Sequence, residues 1–323
     1  MARYAALEDF SFVKEAWRTC FDDPDAFVDW NFSKNYHPEN TIISEWKGTP
    51  ASNMQLMPYR LRLGKKDYSV NYVSGVATLP DFRKRGLVRD LFTFAFPEMQ
   101  KRNHPISLLV PFNYAFYEKF GYTQCYNRIL RTADFLPEGK MLSAPDLNPS
   151  LIHLLDTIYR KEMQSKNGYV LRTIKDWQLI LEDLLILSKG GIYLVEQEGR
   201  PVGYTLFTKK DAQFELHELC GICPIPHHCK TEPFAMARII DACQILKDLA
   251  EDFDGNLKIK ITDPQISKND LCLQIKDQSV TPCQTFDYSF DIQTFTALVF
   301  GFCDDFTNSG LFQHHQNYIN LLL

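Results

Sequence analysis

Tyr72-Val73-Ser74-Gly75-Val76-Ala77-Thr78-Leu79-Pro80-Asp81-Phe82-Arg83-Lys84-Arg85-Gly86-Leu87-Val88 is the stretch whose reading decides the fold. Its first part is β-branched and aromatic and predicts a strand running to Thr78. Pro80 ends that strand, because proline has no N–H to give to a ladder. Three cations and a glycine follow. Then Leu87, Val88, Leu91, Phe92 and Ala95 recur at three- and four-residue spacing, which predicts one apolar face of a helix. The first N–H groups of a helix have no internal partner and sit at the positive end of its dipole. A strand, a basic loop and a helix start therefore form a place for phosphate. Gly86 removes the side chain where a pyrophosphate needs to touch backbone. The stretch lacks the Gly-Lys-Ser/Thr of a P-loop and the three glycines of a dinucleotide fingerprint. On charge and glycine alone, a solvated basic turn before a core helix is an equally good reading.

Working outward, Thr41–Trp46 reads as a strand, Gly48-Thr49-Pro50 as a turn, and Met54–Leu63 as a second strand. In the latter, Tyr59, Leu61 and Leu63 alternate with Arg60 and Arg62. Gly64-Lys65-Lys66-Asp67 is a hairpin connection into the strand of Tyr68, Val70 and Tyr72. Ahead of these, residues 7–21 show a helical pattern, and a second short helix starts at Asp23 or Pro24 and ends near Phe32. Asp22, Asp23, Asp25 and Asp29 stand among Phe21, Phe27, Trp30 and Phe32. Acidic and aromatic groups together suit an organic cation; they also suit helix capping over a packed core. Pro97 should kink or shorten the helix that begins at Leu87. Beyond it, residues 106–111 form a short apolar strand. In Phe112-Asn113-Tyr114-Ala115-Phe116-Tyr117-Glu118-Lys119-Phe120-Gly121-Tyr122, Asn113 caps and Gly121 stops about two helical turns.

Arg83-x-x-Gly86-x-Val88 resembles the pyrophosphate loop of GNAT-type acetyltransferases, and Phe116-Tyr117-x-Lys119-x-Gly121-Tyr122 resembles their second signature. The fuller string from Val76 to Leu87 is similar to a narrower branch, the enhanced-intracellular-survival-type N-acetyltransferases, with a large apolar residue where other members have Gly or Ala. The resemblance implies acetyl-CoA as co-substrate, with Val76, Ala77 and Thr78 beside the pantetheine arm. It also implies pyrophosphate on Arg83, Lys84, Arg85, Gly86, Leu87 and Val88, with Asn113 part of the cofactor site. Tyr117 would protonate the departing thiolate, and the terminal carboxylate of Leu323 would deprotonate the amine. Phe21, Asp23 and Trp30 would line the cavity for an aminoglycoside- or polyamine-like substrate.

Residues 135–149 are polar and carry prolines, the best linker. Helical patterns at 151–163 and 173–187 and strands at 191–196, 202–207 and 214–221 repeat the order of the first domain, without its glycine loop or tyrosine signature. They read as a degenerate GNAT-like domain. Cys220 to Cys229 hold three thiols and two imidazoles, but crowded into ten residues with two prolines, unlike the paired spacing of structural zinc. No metal is expected. Met236-x-Arg238-Ile-Ile-Asp241, residues 260–264 and residues 291–301 resemble a sterol-carrier-protein-like C-terminal domain of the same branch. The expected fold is α+β, with a catalytic domain over 1–135, the degenerate one over 146–228 and the small one over 229–323.

The net charge of −5 is unlike a nucleic-acid binder. No run of 18 apolar residues occurs, and Met1-Ala2-Arg3-Tyr4 opens no signal peptide. Nine cysteines, an odd number, fit a reducing cytoplasm. Resemblance implies a homo-oligomer, a trimer or hexamer. The competing expectation is a non-catalytic acyl-CoA-binding regulatory protein that keeps the fold without turnover.

Overall fold

The computed structural model describes residues 1–136, 139–303, 311–312 and 317–319. Contacts divide them into two units. One holds residues 1–125 with the described part of 234–315; the other holds 126–233 with the described part of 316–323.

The chain opens with β1 (Ala2–Tyr4), α1 (Phe10–Cys20) and α2 (Asp25–Asn35). Then come β2 (Thr41–Trp46), β3 (Thr49–Leu63), β4 (Lys66–Thr78), α3 (Leu87–Lys101), β5 (Ile106–Leu109), α4 (Tyr114–Glu118) and β6 (Thr123–Gln124). The middle of the chain carries β7 (Asn127–Ala133), β8 (Lys140–Leu142), α5 (Pro149–Met163), β9 (Tyr169–Val170), α6 (Ile174–Glu182), β10 (Gly191–Gln197), β11 (Arg200–Lys210), β12 (Gln213–Gly221) and β13 (His228–Pro233). The remainder holds β14 (Met236–Ile239), α7 (Ala242–Ala250), β15 (Asn256–Thr262), β16 (Leu271–Lys276), β17 (Ser279–Pro282), β18 (Tyr288–Asp291) and α8 (Ile292–Val299).

In the first unit the main sheet has the order β1-β2-β3-β4-β5-β14-β6. β2, β3 and β4 pair antiparallel as expected, and α3 is the crossover to parallel β5. Ile42 and Ile43 point to opposite faces, as neighbours on a strand must. Ile42 packs with Leu91, Phe92, Ala95, Phe96 and Met99 of α3. Ile43 packs with Val13, Trp17, Val28 and Phe32 of α1 and α2. Helices therefore cover both faces. α3 runs unbroken through Pro97, so the expected shortening does not occur. Proline there deprives only the Thr93 carbonyl of its donor, while Phe96 and Met99 on either side are buried.

Two strands depart from simple pairing. Asn53 faces Ala77 but Gln55 faces Ser74, so β4 holds one residue more than β3 at that point, a bulge. Gly75 sits there with φ +57°, and a β-carbon on it would lie 2.7 Å from the Trp17 ring. β14 is hydrogen-bonded between β5 and β6. Contacts thus divide the chain after Cys125 and Pro233, where the sequence drew its limits at 135, 146 and 228. Residues 256–291 make a separate small sheet, order β17-β16-β15-β18.

The second unit is a sheet of order β13-β7-β12-β11-β10-β8 with α5 and α6. Its core contains a bidentate ion pair, Arg172 to Glu218 at 2.9 and 2.7 Å. The guanidinium lies over the Tyr159 and Trp177 rings. In the cysteine-rich stretch Cys220 is buried and the Cys223 thiol donates to the Tyr204 carbonyl at 3.0 Å. Among the described residues, no group of three or more His, Cys, Asp or Glu is placed to hold a metal.

Candidate active site

β4 and β5 pair over three residues only, Val70 to Tyr72 against Ile106 to Leu108. Past Tyr72, β4 keeps β3 on one edge and pairs with no strand on the other among the described residues. Backbone N–H and C=O groups require partners, so this open edge suits an extended, amide-bearing chain laid in like an added strand. Ser52 and Asn53 of β3 fix the end of β4. The Ser52 hydroxyl donates to the Ala77 carbonyl at 2.7 Å and lies 2.8 Å from the Thr78 hydroxyl, and the Asn53 amide donates to the Gly75 carbonyl at 2.9 Å.

The basic loop follows directly. Residues 80–82 make one tight turn, Lys84 takes φ +61° and Gly86, at the helix N-cap, φ +81°. Left-handed backbone at a side-chain-bearing residue is costly, which explains a glycine at position 86. Two of the three cations fold onto the protein. Arg83 Nε donates to the Thr78 carbonyl at 3.2 Å, which also accepts the Cys20 thiol at 3.4 Å. Arg85 lies over the Trp46 and Phe82 rings at 4.8 and 5.5 Å. Lys84 is exposed. Leu87 is buried and Val88 packs against the α3 core, so these two offer a ligand backbone and not side chain.

Asn113 caps α4 as expected, its side-chain oxygen accepting from the Phe116 N–H at 3.1 Å. Tyr117 is 4% exposed. Phe92, Phe112, Phe116 and Tyr122 surround its ring, with centroids 5.1 to 6.3 Å away. Burial, with Tyr122 and Tyr72 nearby, raises its pKa above the ordinary phenol value. Burial likewise pushes the neighbouring Tyr72 up to about 12. A phenol so held stays protonated at neutral pH, and the same burial makes it a weaker acid than a phenol in water.

Of the three candidate substrate residues, Asp23 and Phe21 meet at the Trp17 indole and Trp30 packs elsewhere. Asp23 does not cap α2, whose N-cap is Pro24, and among the described residues it pairs with no cation; it accepts the Trp17 indole N–H at 2.9 Å. Phe21 rests on the same indole at 4.8 Å. Trp30 packs on Phe27 instead, at 5.8 Å. Asp25 pairs with Arg18, and Asp29 with Arg18 and Lys14, so part of the acidic cluster is neutralised locally. Leu323 lies outside the described residues. Just before it, in the second unit, the Tyr318 N–H donates to the Asn167 carbonyl at 2.9 Å and its hydroxyl to Glu218 at 3.3 Å.

Sequence reasoning missed Ser52, Asn53 and Cys20. A signal for the first two was present: two polar residues inside Ala51-Ser52-Asn53-Met54, where buried polar groups must find partners.

Residues 1–125 match the family described as acetyltransferase (GNAT) domain. No curated protein matches the chain. Solved structures match over nearly its whole length. A probable N-acyltransferase from Enterococcus faecalis is 18% identical, with TM-score 0.79, over 96% of this chain and 92% of that one. A GCN5-related N-acetyltransferase from Anabaena variabilis is 17% identical, TM-score 0.77, over 98% and 94%. Eis1 from Mycobacterium abscessus is 13% identical, TM-score 0.78, over 99% of both chains. These proteins share the fold, and residues 1–125 of this chain match the acetyltransferase (GNAT) domain.

Proposed function

We propose that this chain moves an acetyl group from acetyl-CoA to a primary amine of a cationic, polyamine- or aminoglycoside-like molecule by direct attack on the thioester. The observation that supports it is the meeting, in one unit, of an unpaired β4 edge, a glycine-started helix and a buried, protonated Tyr117. Pantetheine amides would pair with the β4 edge at Val76 and Thr78, and the pyrophosphate would rest on the N–H groups from Arg83 to Val88. A bound neutral amine then needs proximity, a sink for its proton and a donor for the thiolate. Tyr117 is the donor. The Leu323 carboxylate is the sink; its reference pKa near 3.5 makes it a weak base, so burial or a relayed water must assist it. Phe21, Asp23 and Trp30 are assigned to the amine side.

The test is a panel of polyamines and aminoglycosides incubated with acetyl-CoA and protein, with free thiol as readout. Thiol release that depends on the amine is the expected result. Acetyl-CoA binding without release for any amine would replace this reading by the non-catalytic acyl-CoA-binding protein.

A further inference from the structure

α4 is five residues long. A helix that short is not stable alone, and the last carbonyls of a helix have no internal partners. Here the Tyr117 carbonyl accepts the Phe120 and Tyr122 N–H groups and the Glu118 carbonyl that of Gly121, while donors from far along the chain take the carbonyls just beyond the helix. Gln265 Nε2 donates to the Lys119 carbonyl at 3.2 Å. Arg238 Nη1 donates to the Phe120 carbonyl at 2.6 Å. Gln293 Nε2 donates to the Tyr122 carbonyl at 3.0 Å. The donors stand 146, 118 and 171 residues away from their acceptors.

Arg238 and Asp263 are both fully buried. Nη2 donates to both carboxylate oxygens at 2.8 Å, and the guanidinium lies over Phe96 at 4.5 Å. Asp263 is held in turn by the N–H groups of Gln265 and Ile266 and by the Asn269 amide. Gly121, at φ +77°, makes room: a β-carbon there would lie 1.5 Å from Arg238 Nη1. At the other end of α4 the Tyr114 hydroxyl donates to the Phe234 carbonyl at 2.9 Å. Arg238, Asp263, Gln265, Gln293 and Phe234 all lie beyond residue 125, outside the acetyltransferase family match.

We infer that Arg238, Asp263, Gln265 and Gln293 are positioning residues for Tyr117, a bracket by which the C-terminal part of the unit sets the proton donor of the first 125 residues. The inference rests on the reading of Tyr117 as donor to the thiolate. Its physical basis is reach: a general acid must stand within hydrogen-bond distance of its target, and an error of about 1 Å lowers a rate by about 100-fold. A buried ion pair is a poor source of net stability and strongly destabilising when half removed. Arg238 is therefore tested together with its partner.

The experiment compares wild type, the double variant Gln265→Ala/Gln293→Ala and the charge-free pair Arg238→Met/Asp263→Leu. Both double variants should bind acetyl-CoA with unchanged affinity while kcat falls by about 10- to 100-fold. Hydrogen exchange at the amides of Phe120 and Tyr122 should quicken, with α3 unchanged. Wild-type kcat in the folded glutamine variant, or unchanged exchange in both variants, overturns the bracket. If the wild type transfers to no amine, the reading of Tyr117 falls instead, and exchange at Phe120 and Tyr122 still decides whether these residues hold α4.

Discussion

Tyr117 is a phenol enclosed by four aromatic rings, and its burial decides what it can do. The charged form is disfavoured out of water, so the pKa rises. The sign follows: the protonated donor persists through neutral pH, and no alkaline loss of rate should begin below the ordinary phenol value of 10.0. Tyr117→Phe keeps the ring packing and deletes the hydroxyl. It should lower kcat by about 10²- to 10⁴-fold, the range for a positioned general acid, and leave acetyl-CoA affinity unchanged. Single-turnover kinetics beside calorimetric titration checks both halves; wild-type turnover would leave Tyr117 a packing residue.

Among the elements, β4 carries the consequence of one inserted residue. The bulge at Gly75 is fixed from one side by Asn53 and from the other by Trp17, which is bound to Asp23. Gly75→Val would add a side chain at φ +57° and press it into the indole. Overpacking and left-handed backbone strain together should cost about 2–4 kcal/mol, read by denaturant unfolding. The same change should weaken acetyl-CoA binding, because the bulge aims the open edge of β4. Stability and binding equal to wild type would show that the bulge does not set that edge. α3 teaches the complementary lesson. Pro97 predicts a kinked or shortened helix, yet α3, whose Leu91, Phe92, Ala95, Phe96 and Met99 are buried in one cluster, keeps its length with one hydrogen bond lost.

At the scale of the whole molecule, the described end of the chain belongs to the second unit. Asn317, Tyr318 and Ile319 are held in the second unit, Tyr318 by Asn167 and by the buried Glu218 that pairs with Arg172, and Ile319 is buried. The run Tyr318-Ile319-Asn320-Leu321-Leu322-Leu323 predicts an apolar terminus packed into protein; its last four residues lie outside the described residues. If the Leu323 carboxylate takes the amine proton, a few residues appended after it should sharply lower turnover and spare acetyl-CoA binding. An amino-terminal tag of equal length should change neither. Unchanged turnover in the extended protein would assign the proton to another group.

What the sequence determined by itself was local: the strand to Thr78, the glycine that starts α3, the Asn113 cap and the short helix of Tyr117. Each is written in neighbouring residues, because caps, breakers and periodicity act within about one helical turn. Tertiary structure alone decided where β4 and β5 part, which partner Asp23 takes, and that β14 enters the first sheet long after the strands it joins, as Met236 pairs with Gln124 and Leu109. Those outcomes come from pairings between residues far apart in sequence, whose loop-closure entropy is repaid only when the whole sheet forms. No short stretch of this chain carries the information for them.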